Sequence, residues 1–253
     1  MRNLLFRIAY KGGAYYGWQV QKNGISVQEK IQDAIEKVVG KRENIVGCSR
    51  TDTGVHAEEY FFNMRTESEL ATWRFPGALN AHLPYDISVL NCYDVDYDFH
   101  ARYDCLSKEY RYVIWNNRER NPFYEGLSLH YRRPLNEKSL QAQANYFLGK
   151  HDFSAFCSAN SQIKNTERNV KKFEVNRMGN ELTLSVEADG FLYNMVRIMV
   201  GTLLRIEEGK IEKDSIPAII KSKDRSLAGL TVPAQGLFLN KVVYPSSIFD
   251  KVD

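Results

Sequence analysis

Ile45-Val46-Gly47-Cys48-Ser49-Arg50-Thr51-Asp52-Thr53-Gly54-Val55-His56-Ala57-Glu58-Glu59-Tyr60-Phe61-Phe62-Asn63-Met64 is the stretch that decides the organisation of this chain. Ile45–Cys48 and Glu59–Met64 read as strands, because both are short apolar runs bounded by turn-forming residues. The polar run between them carries Gly54 and is too short for a helix. That puts Asp52 on the connection between the two strands. Working towards the N-terminus, Ser26 and Glu29 have capping-box spacing, and Val27, Ile31, Ala34, Ile35 and Val38 fall on one helical face that Gly40 can close. Asn3–Tyr10 alternates as a strand. Working towards the C-terminus, a second helix is predicted within Ser68–His82, disturbed near Pro76, and Ile87–Asp94 is a further strand. The first part thus reads β-α-β-β-α-β.

The second part has a similar outline. Lys108–Trp115 is an aromatic-rich strand, and Asn136–Leu148 has helical spacing at Leu140, Ala144, Phe147 and Leu148. Asn169–Arg177 and Glu181–Ala188 form a predicted hairpin around Gly179, with the clearest alternation at Leu182, Leu184, Val186 and Ala188. Met195, Ile198, Met199, Thr202, Leu203 and Ile206 mark one helix face ahead of Gly209. A short helix at Ile216–Ser222 and a strand at Leu237–Tyr244 complete the chain. The expected fold is α+β: two similar α/β-sandwich subdomains, 1–104 and 105–253, with antiparallel sheets and halves resembling RNA-recognition or ferredoxin-like units. Asn116–Arg133 and Ala155–Asn169 are polar or irregular and are expected to be substrate loops.

With 253 residues, 43% apolar and 26% charged, the composition is that of a globular protein. The 34 basic and 31 acidic residues leave a net charge of +3, which alone does not single out nucleic acid as a partner. Between Ala101 and Arg133, however, seven basic residues face four acidic ones, a local surface able to meet phosphates as readily as water. Cys48, Cys92, Cys105 and Cys157 include no Cys-x-x-Cys pair, which argues against zinc. No signal peptide precedes the strand at Asn3, so four free thiols in a reducing cytoplasm are expected. The apolar stretch Phe191–Ile206 is broken by Asn194, Arg197 and Arg205 and is too short to span a membrane. Neither Gly-x-Gly-x-x-Gly nor Gly-x-x-x-x-Gly-Lys-Ser/Thr occurs, so no nucleotide cofactor is expected.

Asp52 has two readings. An aspartate in Thr51-Asp52-Thr53-Gly54 suits an ordinary turn; an ionised aspartate can also attack a sugar C1′ or an electrophilic ring carbon. The second use needs a cation nearby, since burial alone raises a carboxyl pKa. Arg197 is a lone cation on an apolar helix, which either pairs or snorkels to water. Tyr110 is a strand tyrosine that is either core or a ring on which an extruded base can stack.

The run Arg50-Thr51-Asp52-Thr53-Gly54-Val55-His56-Ala57 resembles the Arg-Thr-Asp-x-Gly-Val-His-Ala signature of the tRNA pseudouridine synthase A family. Phe191-Leu192-Tyr193-Asn194-Met195-Val196-Arg197-Ile198-Met199-Val200-Gly201 resembles that family's Phe-x-x-x-Met-Val-Arg-x-x-Val-Gly segment. Phe99-His100-Ala101-Arg102 followed by Lys108-Glu109-Tyr110-Arg111-Tyr112 resembles a third. Tyr10-Lys11-Gly12 with Gly17-Trp18-Gln19-Val20-Gln21, Gly149–Phe153, the Arg168 region and Ala234–Leu237 extend the likeness along nearly the whole chain. Ser49 and Thr53 stand where the family commonly has glycine and often alanine.

The resemblance implies a cofactor-free isomerase that converts uridine to pseudouridine in the tRNA anticodon stem-loop, at tRNA positions 38–40. It implies Asp52 as nucleophile, Arg197 as its charge partner, Tyr110 as stacking platform and Arg50 as an aid to base extrusion. Lys11, Gln19, Gln21, His56, Arg102 and Arg168 become support or RNA-contact residues. A homodimer is a further implication, while the residues themselves, with no histidine cluster and no membrane-length apolar run, point to no metal and no membrane. Two other classes compete: a non-catalytic RNA-binding module, which would tolerate loss of Asp52, and another uridine-modifying enzyme such as a cysteine-dependent methyltransferase, which would bind adenosylmethionine.

Overall fold

The computed structural model describes residues 1–158 and 165–249, so residues 159–164 of the expected Ala155–Asn169 loop lie outside the described part. In chain order the elements are β1 (Arg2–Tyr10), α1 (Val27–Val39), β2 (Ile45–Gly47), β3 (His56–Thr66), α2 (Phe75–Asn80), β4 (Ile87–Val95), β5 (Ser107–Asn116) and β6 (Leu129–Tyr131). They continue as α3 (Glu137–Ala144), β7 (Gly149–Asp152), β8 (Glu167–Met178), β9 (Glu181–Ala188), α4 (Met195–Glu207), α5 (Ile216–Ser222) and β10 (Leu237–Val243). They form two compact units, Met1–Leu106 with Phe238–Asp253, and Ser107–Leu237. The sheets are mostly antiparallel and the helices few, an α+β fold.

In the first unit β1 lies between β4 and β3 and is antiparallel to both; Phe6 faces Phe62 on one side and Cys92 on the other. β2 joins the far end of β3, with Ile45 opposite Met64, and β10 runs parallel to its near end, with Phe238 opposite His56 and Leu239 opposite Ala57. β3 therefore begins at His56, three residues before the apolar run at Glu59 that marks it in sequence. The pairing with β10 extends it. Phe6 stacks on Phe62 at 4.8 Å and meets Phe75 edge-on at 5.5 Å. α1 buries Val27, Ile31, Ala34 and Ile35 against this core. Its capping box is complete: Ser26 Oγ accepts from Glu29 N–H, Glu29 accepts from Ser26 N–H, and Gly40 closes the helix. Truncating Ile31 to alanine there would cost about 2–5 kcal/mol.

The predicted helix within Ser68–His82 is shorter in the structure. A 3₁₀ turn at Thr72–Arg74 leads into α2, and Pro76 sits in its first turn, where a missing N–H leaves no bond unmade. Pro76 starts the helix rather than interrupting it.

In the second unit β5, β9, β8 and β7 follow one another as antiparallel neighbours, and β6 runs parallel to the end of β5. β6 and a 3₁₀ turn at Pro122–Tyr124 lie inside the stretch expected to be irregular. The helix expected over Asn136–Leu148 ends at Ala144 and tightens into a 3₁₀ turn, with Asn136 Oδ1 capping its start by accepting from Ser139 N–H. Across the inner face of the sheet Tyr112, Leu184 and Val175 form one buried row. α4 buries Met195, Ile198, Met199 and Leu203 against the core. No helix among the described residues is long and apolar enough to cross a membrane. All four cysteines are free.

Candidate active site

Asp52 stands, half-buried, on the connection between β2 and β3, and that connection is braced from several sides. Val55 N–H donates to the Asp52 carbonyl at 3.1 Å, closing a turn around Gly54. Trp18 N–H donates to the Thr51 carbonyl at 3.1 Å, and Gly54 N–H donates to the Tyr15 carbonyl at 3.3 Å. The Tyr10 hydroxyl meets Thr51 Oγ1 at 2.8 Å in the interior. Two glycines make this approach feasible. A Cβ on Gly12 would stand 1.9 Å from the Val55 carbonyl oxygen, and one on Gly17 2.5 Å from that of Thr51. Gly17 also has φ +81°, a region that favours glycine. The Tyr10–Gln21 segment thus forms the loop's seat, and Trp18 is itself fixed by stacking on Tyr60 at 4.1 Å.

His56 has a definite structural task. It is buried, its Nδ1 accepts from Gly12 N–H at 3.0 Å, and its ring stacks on Phe238 at 4.7 Å. An accepting Nδ1 leaves the proton of the neutral ring on Nε2. Arg50 is exposed beside the loop, as are Lys11, Gln19 and Gln21 in the seat. Gln21 turns its amide inward to the Tyr16 carbonyl. Arg102 is exposed, its guanidinium over the Tyr103 ring. No group of three or more metal-ligating side chains occurs among the described residues.

In the second unit Tyr110 and Tyr112 share one face of β5. Tyr112 is fully buried and its hydroxyl donates to the Pro233 carbonyl at 2.8 Å. Burial pushes its phenol pKa up, with the Arg197 charge pulling the other way. Tyr110 keeps 7% exposure and meets the Phe191 edge at 5.0 Å. Arg197, in the first turn of α4, donates from Nε to the Val232 carbonyl at 2.7 Å and from Nη1 to Asn194 Oδ1 at 2.6 Å. Asn194 adopts φ +60° ahead of the helix, and its Nδ2 donates to Ser158 Oγ at 2.9 Å. The Val232 segment is held against α4 because Gly229 N–H donates to Thr202 Oγ1 at 2.8 Å. Arg168, on β8, donates to the Asn165 carbonyl at 3.0 Å and also to that of Glu167.

The first unit therefore gathers Asp52, Arg50, His56, Lys11, Gln19 and Gln21 around one loop. The second carries Tyr110, Arg197 and Arg168 on regular elements. Sequence reasoning overlooked Asn194 and Ser158, which support Arg197; an asparagine just before a helix whose first turn carries a lone arginine was the available signal.

A family model described as tRNA pseudouridine synthase matches residues 143–245. The tRNA pseudouridine synthase A of Thermoanaerobacter sp. (strain X514) is 44% identical over 244 residues, covering 96% of this chain and 100% of that protein. The chain belongs to the tRNA pseudouridine synthase A family. tRNA pseudouridine synthase A 2 of Clostridium perfringens (strain 13 / Type A) is 43% identical, and tRNA pseudouridine synthase A of Caldicellulosiruptor bescii is 42% identical, each with the same two coverages. Among solved structures, a chain titled as part of a Cbf5-Nop10-Gar1 complex aligns with a TM-score of 0.37 at 12% identity, over 78% of this chain and 52% of that one, too distant to carry an argument. As a member of the tRNA pseudouridine synthase A family, the protein is an isomerase that forms pseudouridine in tRNA.

Proposed function

We propose that the protein isomerises uridine in the anticodon stem-loop of tRNA without a cofactor, with Asp52 as nucleophile. Attack of the carboxylate, on C1′ or on the uracil ring, accompanies rupture of the N-glycosidic bond. The base turns, C5 bonds to C1′ while the bond between the carboxylate and the substrate breaks, the C5 hydrogen leaves as a proton, and N1 takes one up. Arg197 keeps Asp52 ionised, Tyr110 stacks on the extruded base, and Arg50 fills the space it vacates. Lys11, Gln19, Gln21, Arg102 and Arg168 contact the RNA backbone or support those that do. The working species is a cytoplasmic homodimer, and each half presents an RNA-recognition-like sheet.

The observation that carries this reading is the bracing of Thr51–Val55 by Tyr10, Gly12, Tyr15 and Trp18, which fixes a half-buried carboxylate on a non-helical loop. A solvated turn aspartate needs no such seat.

The test is tritium release from an unmodified tRNA labelled at uridine C5, for the wild-type chain and Asp52→Asn. Release by wild type alone, with tRNA still bound by the variant, is expected. Equal release by both removes Asp52 from the chemistry, and release from tRNAs lacking uridine in the anticodon stem-loop moves the target elsewhere.

A further inference from the structure

Among the described residues Lys108 is the only lysine, arginine, aspartate or glutamate in the buried class, at 9% exposure. It shares a face of β5 with Tyr110 and Tyr112. Directly across the sheet from it stand Ala188 and then Val170, both almost fully buried. A lysine has thus been placed in an apolar row, where charge is costly unless matched.

Among the described residues no carboxylate matches it. No described acid lies within ion-pair distance of Lys108, and the acids closest in the sheet are engaged elsewhere. Glu109 faces the opposite side and pairs with Lys172 at 3.5 Å. Glu187 accepts from Ser107 Oγ at 2.6 Å, and Asp189 accepts from Asn169 N–H at 3.0 Å. The ammonium is nevertheless not among the fully enclosed polar atoms without a partner, so its tip keeps an opening. A buried stem, an open cationic tip and no internal anion among the described residues suit an anion that arrives from outside. For an enzyme acting on tRNA, that anion is a backbone phosphate.

We propose that Lys108 is a phosphate anchor, its ammonium binding a phosphodiester of the tRNA strand that carries the target uridine. The inference rests on the reading of Tyr110 as the surface against which that uridine lies, one side-chain pair along the same strand face. The anchor fixes the backbone while the ring holds the base. A lysine suits this task as a compact point charge that takes any phosphate oxygen.

The test is tRNA affinity as a function of salt, measured in an Asp52→Asn background that leaves the RNA unreacted, with Lys108→Met and Lys108→Arg added singly. Methionine keeps the stem's shape and removes the charge. Lys108→Met should lower the slope of log affinity against log salt by about 0.7–0.9 and weaken binding about tenfold at low salt, whereas Lys108→Arg should keep the slope. The thermal midpoint of Lys108→Met should equal or exceed its parent's, because methionine keeps the apolar stem and no internal ion pair is lost. An unchanged slope overturns the proposal, and so does a lowered midpoint, which would mark Lys108 as a structural cation. Failure of the underlying reading is separable: Tyr110→Ala would then leave turnover intact while the salt slope still depended on Lys108.

Discussion

In the first unit Asp52 is held by a loop with no regular structure of its own, seated on two glycines and a cluster of backbone bonds. In the second, Tyr110 and Arg197 stand on a strand and a helix that would exist whether or not those side chains were present. The difference shows two routes to a fixed geometry. A loop can place a carboxylate where no helix or strand could, but its position depends on atoms distant in sequence. A regular element places its side chains by its own periodicity, so a substitution there changes chemistry without moving the backbone. The two regions should therefore fail differently.

The sharpest break is Gly17→Ala. The new methyl would lie 2.5 Å from the Thr51 carbonyl, at a backbone angle alanine disfavours. Pseudouridine formation should fall at least about 100-fold, because misplacement near 1 Å is that costly, with a loss of roughly 1–3 kcal/mol in stability. Tritium release and thermal melting of the same sample read both effects; full activity would mean the loop does not need its seat. Next, Tyr110→Ala should remove about 1–3 kcal/mol of base stacking, visible as weaker productive binding of tRNA, while Tyr110→Phe keeps the ring and most of that affinity. If phenylalanine is as damaging as alanine, the hydroxyl rather than the ring is what matters.

Tyr112→Phe should behave as the opposite of its neighbour. It loses one buried hydrogen bond to Pro233, lowering stability by about 1 kcal/mol in a denaturant titration and leaving turnover near wild type. The smallest effect is a pH one. Asp152 is partly desolvated, which opposes its charge, but Lys223 at 2.8 Å, Thr166 Oγ1 at 2.6 Å and Ser154 N–H together hold its pKa below the usual carboxylate range. A depressed carboxylate contributes stability above its unfolded pKa, near 3.9 for aspartate, and that contribution fades as pH falls below it. Lys223 is largely exposed, so water screens the pair and its contribution is small. The melting temperature of wild type should drop more steeply than that of Asp152→Asn between about pH 5 and pH 2.

Much of this was readable in advance where periodicity carried the signal. The alternation of Glu181–Ala188, the capping box at Ser26 and the apolar face of α4 are local facts, and each element formed there. The strand Gly149–Asp152 was hidden, because a four-residue edge strand reading Gly-Lys-His-Asp has no apolar pattern and exists only by pairing with β8. The true start of β3 was hidden for the same kind of reason: His56 and Ala57 become strand by pairing with residues nearly two hundred positions away. Around the candidate site the motif named the family, and the family is what the relatives share. What it left unread was support: Gly12 and Gly17 matter through what a methyl would strike, and Asn194 through a bond to Arg197. Such roles belong to three-dimensional proximity, which no spacing rule encodes.

The pairing of β10 with β3 carries a consequence for the order in which the protein is made. Phe238 and Leu239 reach His56 and Ala57 across the whole of the intervening second unit. Residues 107–237 form a compact unit from contiguous chain, and can assemble as they leave the ribosome. The first unit, although translated first, must wait for the last strand before the Phe238 ring can settle on His56, and with it the bond that ties His56 to Gly12. A nascent chain halted before residue 238 therefore holds its Asp52 loop without the support that Phe238 gives through His56.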